Sequence, residues 1–150
     1  MEIGVGLPAT IPGASGSLVL EWARRADSGP FSSLGVIDRL VYKNHEALVS
    51  LAAAAVTERV RLMTTVLIAP VRDAALLAKQ AATIDAFSGG RLTLGLGVGA
   101  REDDFRAASA TFEDRGDRPA ARAAGRAGAL DRRLRARPAE AGRPVGGRLH

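Results

Sequence analysis

Four apolar runs recur at intervals of about 30 residues, each followed by a stretch with helical period, and this repeat leaves few folds open. Residues 2–7, 33–38, 60–69 and 91–97 read as strands. Pro8 and Pro70 bound two of them, and Val60, Thr64, Thr65, Val66 and Ile68 give the third its β-branched content. Ser17 is placed to cap a first helix with Leu18, Trp22 and Ala26 on one core-facing side, ended by Asp27-Ser28-Gly29-Pro30. A second helix over 45–59 carries Leu48, Leu51, Ala52 and Ala55, with His45 at its start as a capping or surface residue. Asp73 caps a third helix, along which Leu77, Ala81 and Ile84 align. Ser88-Gly89-Gly90 stops it, because glycine accepts the left-handed conformation a helix end requires. Strands joined by helical crossovers pair in parallel, so the expectation is a β-α-β-α-β-α-β parallel sheet whose strands are buried on both faces.

Charge divides the chain in two. Residues 1–115 hold 12 Lys+Arg and 13 Asp+Glu, a net of −1, whereas 116–150 hold nine Arg and three acids, a net of +6. The formal charge of +5 therefore belongs to the end of the chain, where Ala, Arg, Gly and Pro dominate and aromatic residues and Lys are missing. The chain has no cysteine, which excludes thiol catalysis and thiolate metal sites. Its two histidines, His45 and His150, cannot form a histidine metal cluster, so no metal is expected. No apolar run approaches the roughly 20 residues of a membrane-spanning helix, and the N-terminus lacks a basic segment followed by a long apolar one. A cytoplasmic protein without membrane contact is expected.

Parallel sheets bind ligands at the carboxyl ends of their strands. Those ends carry Gly6, Asp38-Arg39, Thr65-Val66-Leu67 and Gly97-Val98-Gly99. Glycine there lets a ligand approach the backbone; relief of crowding explains Gly95, Gly97 and Gly99 equally well. Residues 4–9 match the G-x-G-x-x-A dinucleotide pattern, but Pro8 and Pro12 keep a helix from starting there, and Asp38 lies 32 residues past Gly6 rather than about 20. Asp38 closes an otherwise apolar strand, which suggests function, with a cap or a pairing to Arg39 as the plainer alternative. Asp103-Asp104 reads as a surface acidic pair at the start of a short helix, and Trp22 as core.

Ile37-Asp38-Arg39-Leu40-Val41, the segments 48–62 and 64–72, Ala78-Lys79-Gln80-Ala81-Ala82-Thr83-Ile84-Asp85 and Ser88-Gly89-Gly90-Arg91 through Gly97-Val98-Gly99 resemble the bacterial luciferase-like oxidoreductases. The resemblance covers about residues 1–118, and the segment from Ser88 to Gly99 is its most specific part. It implies an α/β fold, an incomplete (β/α)8 TIM barrel of about four βα units. It also implies a cofactor, reduced flavin mononucleotide (FMN) or the deazaflavin coenzyme F-420, lying over the strand ends against Gly6, Thr65, Val66, Leu67, Gly97 and Gly99. Many members have a bulged third strand with a non-proline cis peptide, which would fall near Thr65-Val66-Leu67. Asp38 matches an acidic position after the second strand. Members commonly follow it with histidine; this chain has Arg39, suited to an anionic substrate or cofactor phosphate. Asp38 and Arg39 are thus the implied catalytic pair, monooxygenation of a small organic substrate the favoured reaction, and hydride transfer from a deazaflavin the alternative.

A whole barrel needs at least about 200 residues. Residues 1–118 are expected to form a half-barrel and 119–150 a low-complexity tail, disordered or out of frame. Ala, Arg, Gly and Pro have codons that begin with two G or C bases, so a shifted frame in GC-rich DNA yields this mixture. A nucleic-acid-binding tail is the alternative, disfavoured because it lacks Lys and any Phe, Trp or Tyr for stacking. A single half-barrel is expected to bind flavin weakly or not at all, unless two copies pair into a pseudo-barrel.

Overall fold

The computed structural model describes residues 1–42 and 45–118. The tail 119–150 lies outside the described residues. The elements follow the expected alternation: β1 (Gly4–Gly6), α1 (Gly16–Ser28), β2 (Ser33–Val36), α2 (Ala47–Ala53), β3 (Arg61–Thr64), β4 (Leu67–Ile68), α3 (Ala74–Phe87), β5 (Leu92–Thr93), β6 (Leu96–Gly97) and α4 (Glu102–Ala107). One sheet has the order β1-β2-β3-β5 and a second pairs β4 with β6; every pairing is parallel.

The third and fourth predicted strands are each two short strands. A cis peptide at Thr65–Val66 separates β3 from β4, at the position the family resemblance implies. The Thr64 hydroxyl bridges the break: it donates to the Gly95 carbonyl (2.6 Å) and accepts from the Gly95 amide (2.8 Å). Beyond it, the Leu67 amide donates to the same carbonyl at 2.9 Å, and pairing resumes as Leu67 opposite Leu96. A Cβ at position 95 would collide with the Thr64 carbonyl oxygen, so this close crossing requires glycine.

Among the described residues, helices cover one face of the sheet. In β2 and β3 alternate residues are buried, so Leu34, Val36 and Leu62 pack under α1, α2 and α3 while Gly35 and Met63 look the other way. Among the described residues, burial on both faces, expected from the apolar runs, is therefore not found. Val19, Ala23 and Ala26 form the buried stripe of α1, whereas Leu18 and Trp22 are exposed, Trp22 at 41%. The small Val-Ala-Ala face lets the helix lie close to the sheet, which turns the bulky indole outward. Ser15, rather than Ser17, caps this helix, accepting from the Leu18 amide at 3.2 Å.

Asp73 caps α3 as expected, and Gly89 and Gly90 take positive φ (65° and 82°) just past its end. The second helix begins later and stops earlier than its periodicity suggests. Glu46 is the cap, accepting from Val49 N at 2.7 Å, and one 3-10 turn at Ala54–Val56 ends the helical stretch. Thr57 turns its hydroxyl back onto Ala54 O (2.7 Å), and residues 58–60 give their amides to the Asp27 carboxylate at 2.9 Å each. The Arg59 guanidinium in turn donates to the carbonyls of Asp27, Gly29 and Phe31, which fixes the end of α1 to the start of β3.

Burial alone would raise the Asp27 pKa, but the amides of Glu58, Val60 and Arg59, with the Arg59 charge, outweigh it and hold the carboxyl below its ordinary value. A depressed carboxyl contributes stability that is complete above the unfolded-state pKa and is lost as pH falls through the folded one. The Asp27→Asn variant should therefore unfold at lower denaturant at pH 7. It should also lose less stability than the parent between pH 5 and pH 3, as measured by urea titration across that range.

Candidate functional site

The carboxyl ends of the strands gather most of the residues singled out in the sequence. Asp38 lies two residues past β2 and its side chain is 1% exposed. One carboxylate oxygen accepts from the Ile68 amide (2.9 Å), just after the cis peptide, and the other from Arg72 Nη2 (2.8 Å). Arg72 Nη1 lies 2.8 Å from Glu46 Oε1, while Glu46 Oε2 caps α2. Asp38, Arg72 and Glu46 thus join the end of β2, the turn after β4 and the start of α2. Arg72 Nε and Glu46 Oε1 are both buried without a hydrogen-bond partner, so the guanidinium hydrogen-bonds to Asp38 through Nη2 and meets Glu46 as an ion pair.

Arg39 turns to α4 instead. Its Nε donates to Asp104 Oδ2 (2.8 Å) and its Nη2 to Asp103 Oδ2 (2.7 Å), and its guanidinium carbon stands 5.4 Å from the Tyr42 ring centroid. Asp104 is not the surface residue its sequence context suggests: it is fully buried. Its second oxygen accepts from the amides of Leu40 and Val41 at 2.8 and 3.2 Å, so the carboxylate folds the 38–42 loop onto α4. His45 is likewise a brace, its Nε2 2.7 Å from Ala14 O and its amide donating to Ala9 O at 2.9 Å, which ties the loop after β1 to the loop after β2.

Between these braces the open face of the sheet is poor in side chains. Gly6 is the register partner of Gly35, and Gly35 in turn faces Thr65, whose amide and hydroxyl both donate to Val36 O (2.7 and 3.1 Å). A Cβ at Gly6 would meet nothing within 4 Å, whereas one at Gly97 would come within 2.7 Å of Val66 and one at Gly99 within 2.7 Å of Ile68. Packing therefore accounts for the missing side chains of Gly97 and Gly99, the latter also at φ +77°, while Gly6 borders open space. Val66 and Ile37 are about half exposed beside this row; the Leu67 side chain is wholly buried, so that residue offers only its backbone.

Asp38, Thr65, Val66, Leu67, Gly97 and Gly99 are brought together, with Gly6 two strands away on the same face; Arg39 points out of this group toward Asp103 and Asp104. Gly35, Glu46 and Arg72 were not singled out as site residues by sequence reasoning, and Asp104 was singled out only as half of a surface acidic pair. A buried acid needs a compensating cation, which was the available signal for Arg72. Among the described residues no group of three or more His, Cys, Asp or Glu could hold a metal ion, and no helix is long and apolar enough to cross a membrane.

Comparison with known proteins agrees with this architecture. Residues 1–120 match the family model of the luciferase-like monooxygenases, and the chain belongs to that family. Its fold is similar to the oxygenating constituent of 3,6-diketocamphane monooxygenase from Pseudomonas putida, a type II Baeyer–Villiger enzyme solved with FMN: 24% identity, TM-score 0.64, 77% of this chain and 36% of that one. The monooxygenase RslO1 of Streptomyces bottropensis aligns at 25% identity and TM-score 0.68 over 99% of this chain and 47% of that one. The coenzyme F420-dependent tetrahydromethanopterin reductase of Methanopyrus kandleri aligns at 25% and 0.61, over 74% of this chain and 30% of that one. The chain spans less than half the length of each. No curated protein matches it.

Removing the cation from a buried pair strands its partner's charge. Arg72→Met should accordingly cost about 3 kcal/mol of stability. The double variant Arg72→Met/Asp38→Asn should recover part of that loss, and a double-mutant cycle by urea denaturation reads the coupling.

Proposed function

We propose that the protein is a flavin-dependent oxidoreductase of the monooxygenase type, acting on a small organic substrate at the carboxyl ends of its strands. The observation that carries this reading is the glycine-backed, half-apolar surface formed by Gly6, Gly35, Thr65 and Val66 beside Asp38. A planar ring system needs a flat wall without projecting side chains, and this row provides one. The exposed Val66 and Ile37 offer apolar contact, and Gly6 leaves the space free. The residues present therefore fit an isoalloxazine or deazaflavin ring.

The bound cofactor would supply the redox chemistry, oxygen activation by a reduced flavin or hydride transfer by a deazaflavin. This chain's residues would position it. Asp38 accepts from the Ile68 amide and from Arg72, and so would fix the backbone just after the 65–67 turn that borders the site. Arg39, held by two carboxylates, acts as a positioning residue for the loop that borders the ring. A deazaflavin reading is supported by the similarity to the F420-dependent reductase, and FMN by the similarity to the FMN-bound monooxygenase.

Titration of the full chain with FMN and with F420, followed by cofactor fluorescence, tests the proposal. Weak, saturable binding of one of the two is expected, and Gly6→Val should weaken it about tenfold with helical content unchanged. Absence of binding by both cofactors, or full affinity in Gly6→Val, would overturn it.

A further inference from the structure

Asp104 is a fully buried carboxylate, and what it holds in place is a loop. It sits on α4, a helix of six residues whose footing is Phe105, a fully buried ring that meets Phe112 edge-on at 5.2 Å. Gly99 makes room for that ring, since a Cβ there would come within 3.0 Å of it. From this footing Asp104 accepts from the amides of Leu40 and Val41 and, together with Asp103, from the guanidinium of Arg39. Arg39 in turn lies over the Tyr42 ring, so an unbroken set of contacts runs from α4 to that ring.

A loop that only joins a strand to a helix runs over the surface and leaves its amides to water. Here a carboxylate takes the place of water, and burying one is repaid only when its lone pairs are well matched. The side chains fixed in this way are not ones the core uses. Among the described residues, Ile37, Val41 and Tyr42 are each about half exposed, on the same strand-end loop as Asp38. By the alternation of β2, Ile37 falls on the face of Gly35. Apolar groups left in water add nothing to the fold, whereas groups already held rigid lower the ordering cost of a ligand that covers them. Arg39 is not disposed to meet an anion. Two carboxylates share its charge, its side chain is 18% exposed, and an incoming anion would have to displace one of them. The cation that the family resemblance offers to an anionic substrate is here the support of an aromatic ring.

We propose that Tyr42 is a specificity-determining residue, its ring forming with Ile37 and Val41 an apolar wall for an uncharged organic substrate. Arg39 and Asp104 are the residues that position it. This deepens the proposed function and rests on its reading of the strand ends as the site.

Tyr42 is the single tyrosine and Trp22 the single tryptophan, so each reports on one place. The full chain, isotope-labelled in both rings and without cofactor, is titrated with acetophenone, which is neutral, and with benzoate, an anion of similar size and shape, and followed by NMR. Acetophenone is expected to shift the Tyr42 ring signals saturably, benzoate to bind about tenfold more weakly, and the Trp22 signals to stay in place. Tyr42→Ala should weaken acetophenone binding about fivefold, read from the ligand's own line width, and Tyr42→Phe should restore it. Arg39→Lys keeps the charge beside Asp104 but not the planar contact with the ring. It should move the Tyr42 signals toward those of free tyrosine, with acetophenone affinity falling in step. Equal binding of benzoate, an acetophenone response shared by Trp22, or full affinity in Tyr42→Ala overturns the proposal. So does a Tyr42 ring that answers neither probe, including one covered by residues outside 1–118. No cofactor is present in these titrations, so a Tyr42 response without binding of FMN or F420 in the separate cofactor titration would strike the cofactor reading alone.

Discussion

The Asp38 carboxylate is the point on which the upper end of the molecule depends. A buried carboxylate must be fully compensated, and here one oxygen takes a backbone amide while the other takes a guanidinium. Those two partners come from opposite sides of the turn after β4, and the guanidinium reaches on to the cap of α2. One carboxylate thus sets the relative positions of two successive strand–helix units, β2–α2 and β3/β4–α3. Asp104 repeats the device one loop further out, with Arg39 as its cation and the Leu40 and Val41 amides as its donors. The strand ends are stiff because buried charge tolerates few alternative geometries.

That stiffness suits a surface with little else to hold it. The row Gly6, Gly35, Thr65 has almost no side-chain volume, so its shape comes from backbone position alone. The cis peptide at Thr65–Val66 and the Thr64–Gly95 bridge place that backbone, and Gly97 lets Val66 settle beside it. Glycines that look like ligand contacts in a sequence are here divided by packing: Gly95, Gly97 and Gly99 are demanded by neighbouring atoms, and Gly6 is left to the open face. The absence of side chains is structural at one end of the row and available to a ligand at the other.

Much of the scaffold was legible in the linear pattern. The alternation of apolar runs and helical stretches gave the parallel sheet, Asp73 and Gly89-Gly90 gave the limits of α3, and the motif from Ser88 to Gly99 pointed to the family that the comparisons identify. The helix faces were less legible. Leu18 and Trp22 are the bulkiest residues of α1 and read as its core, yet the helix packs through Val19, Ala23 and Ala26 because small residues allow a closer approach to the sheet. Period alone does not say which of two adjacent stripes faces inward.

What the sequence determined by itself was the order and type of the elements, since hydrophobic period, caps and breakers act over a few residues. Tertiary structure decided which charges meet. Asp38 and Arg72 are 34 positions apart, and Arg39 and Asp104 are 65 apart. Locally, Asp38 stands out only as the close of an apolar strand and Asp104 reads as a surface residue, and neither context names a partner. Only when the parallel crossovers stack the strand ends side by side do those charges leave water, and desolvation then obliges each to find its partner.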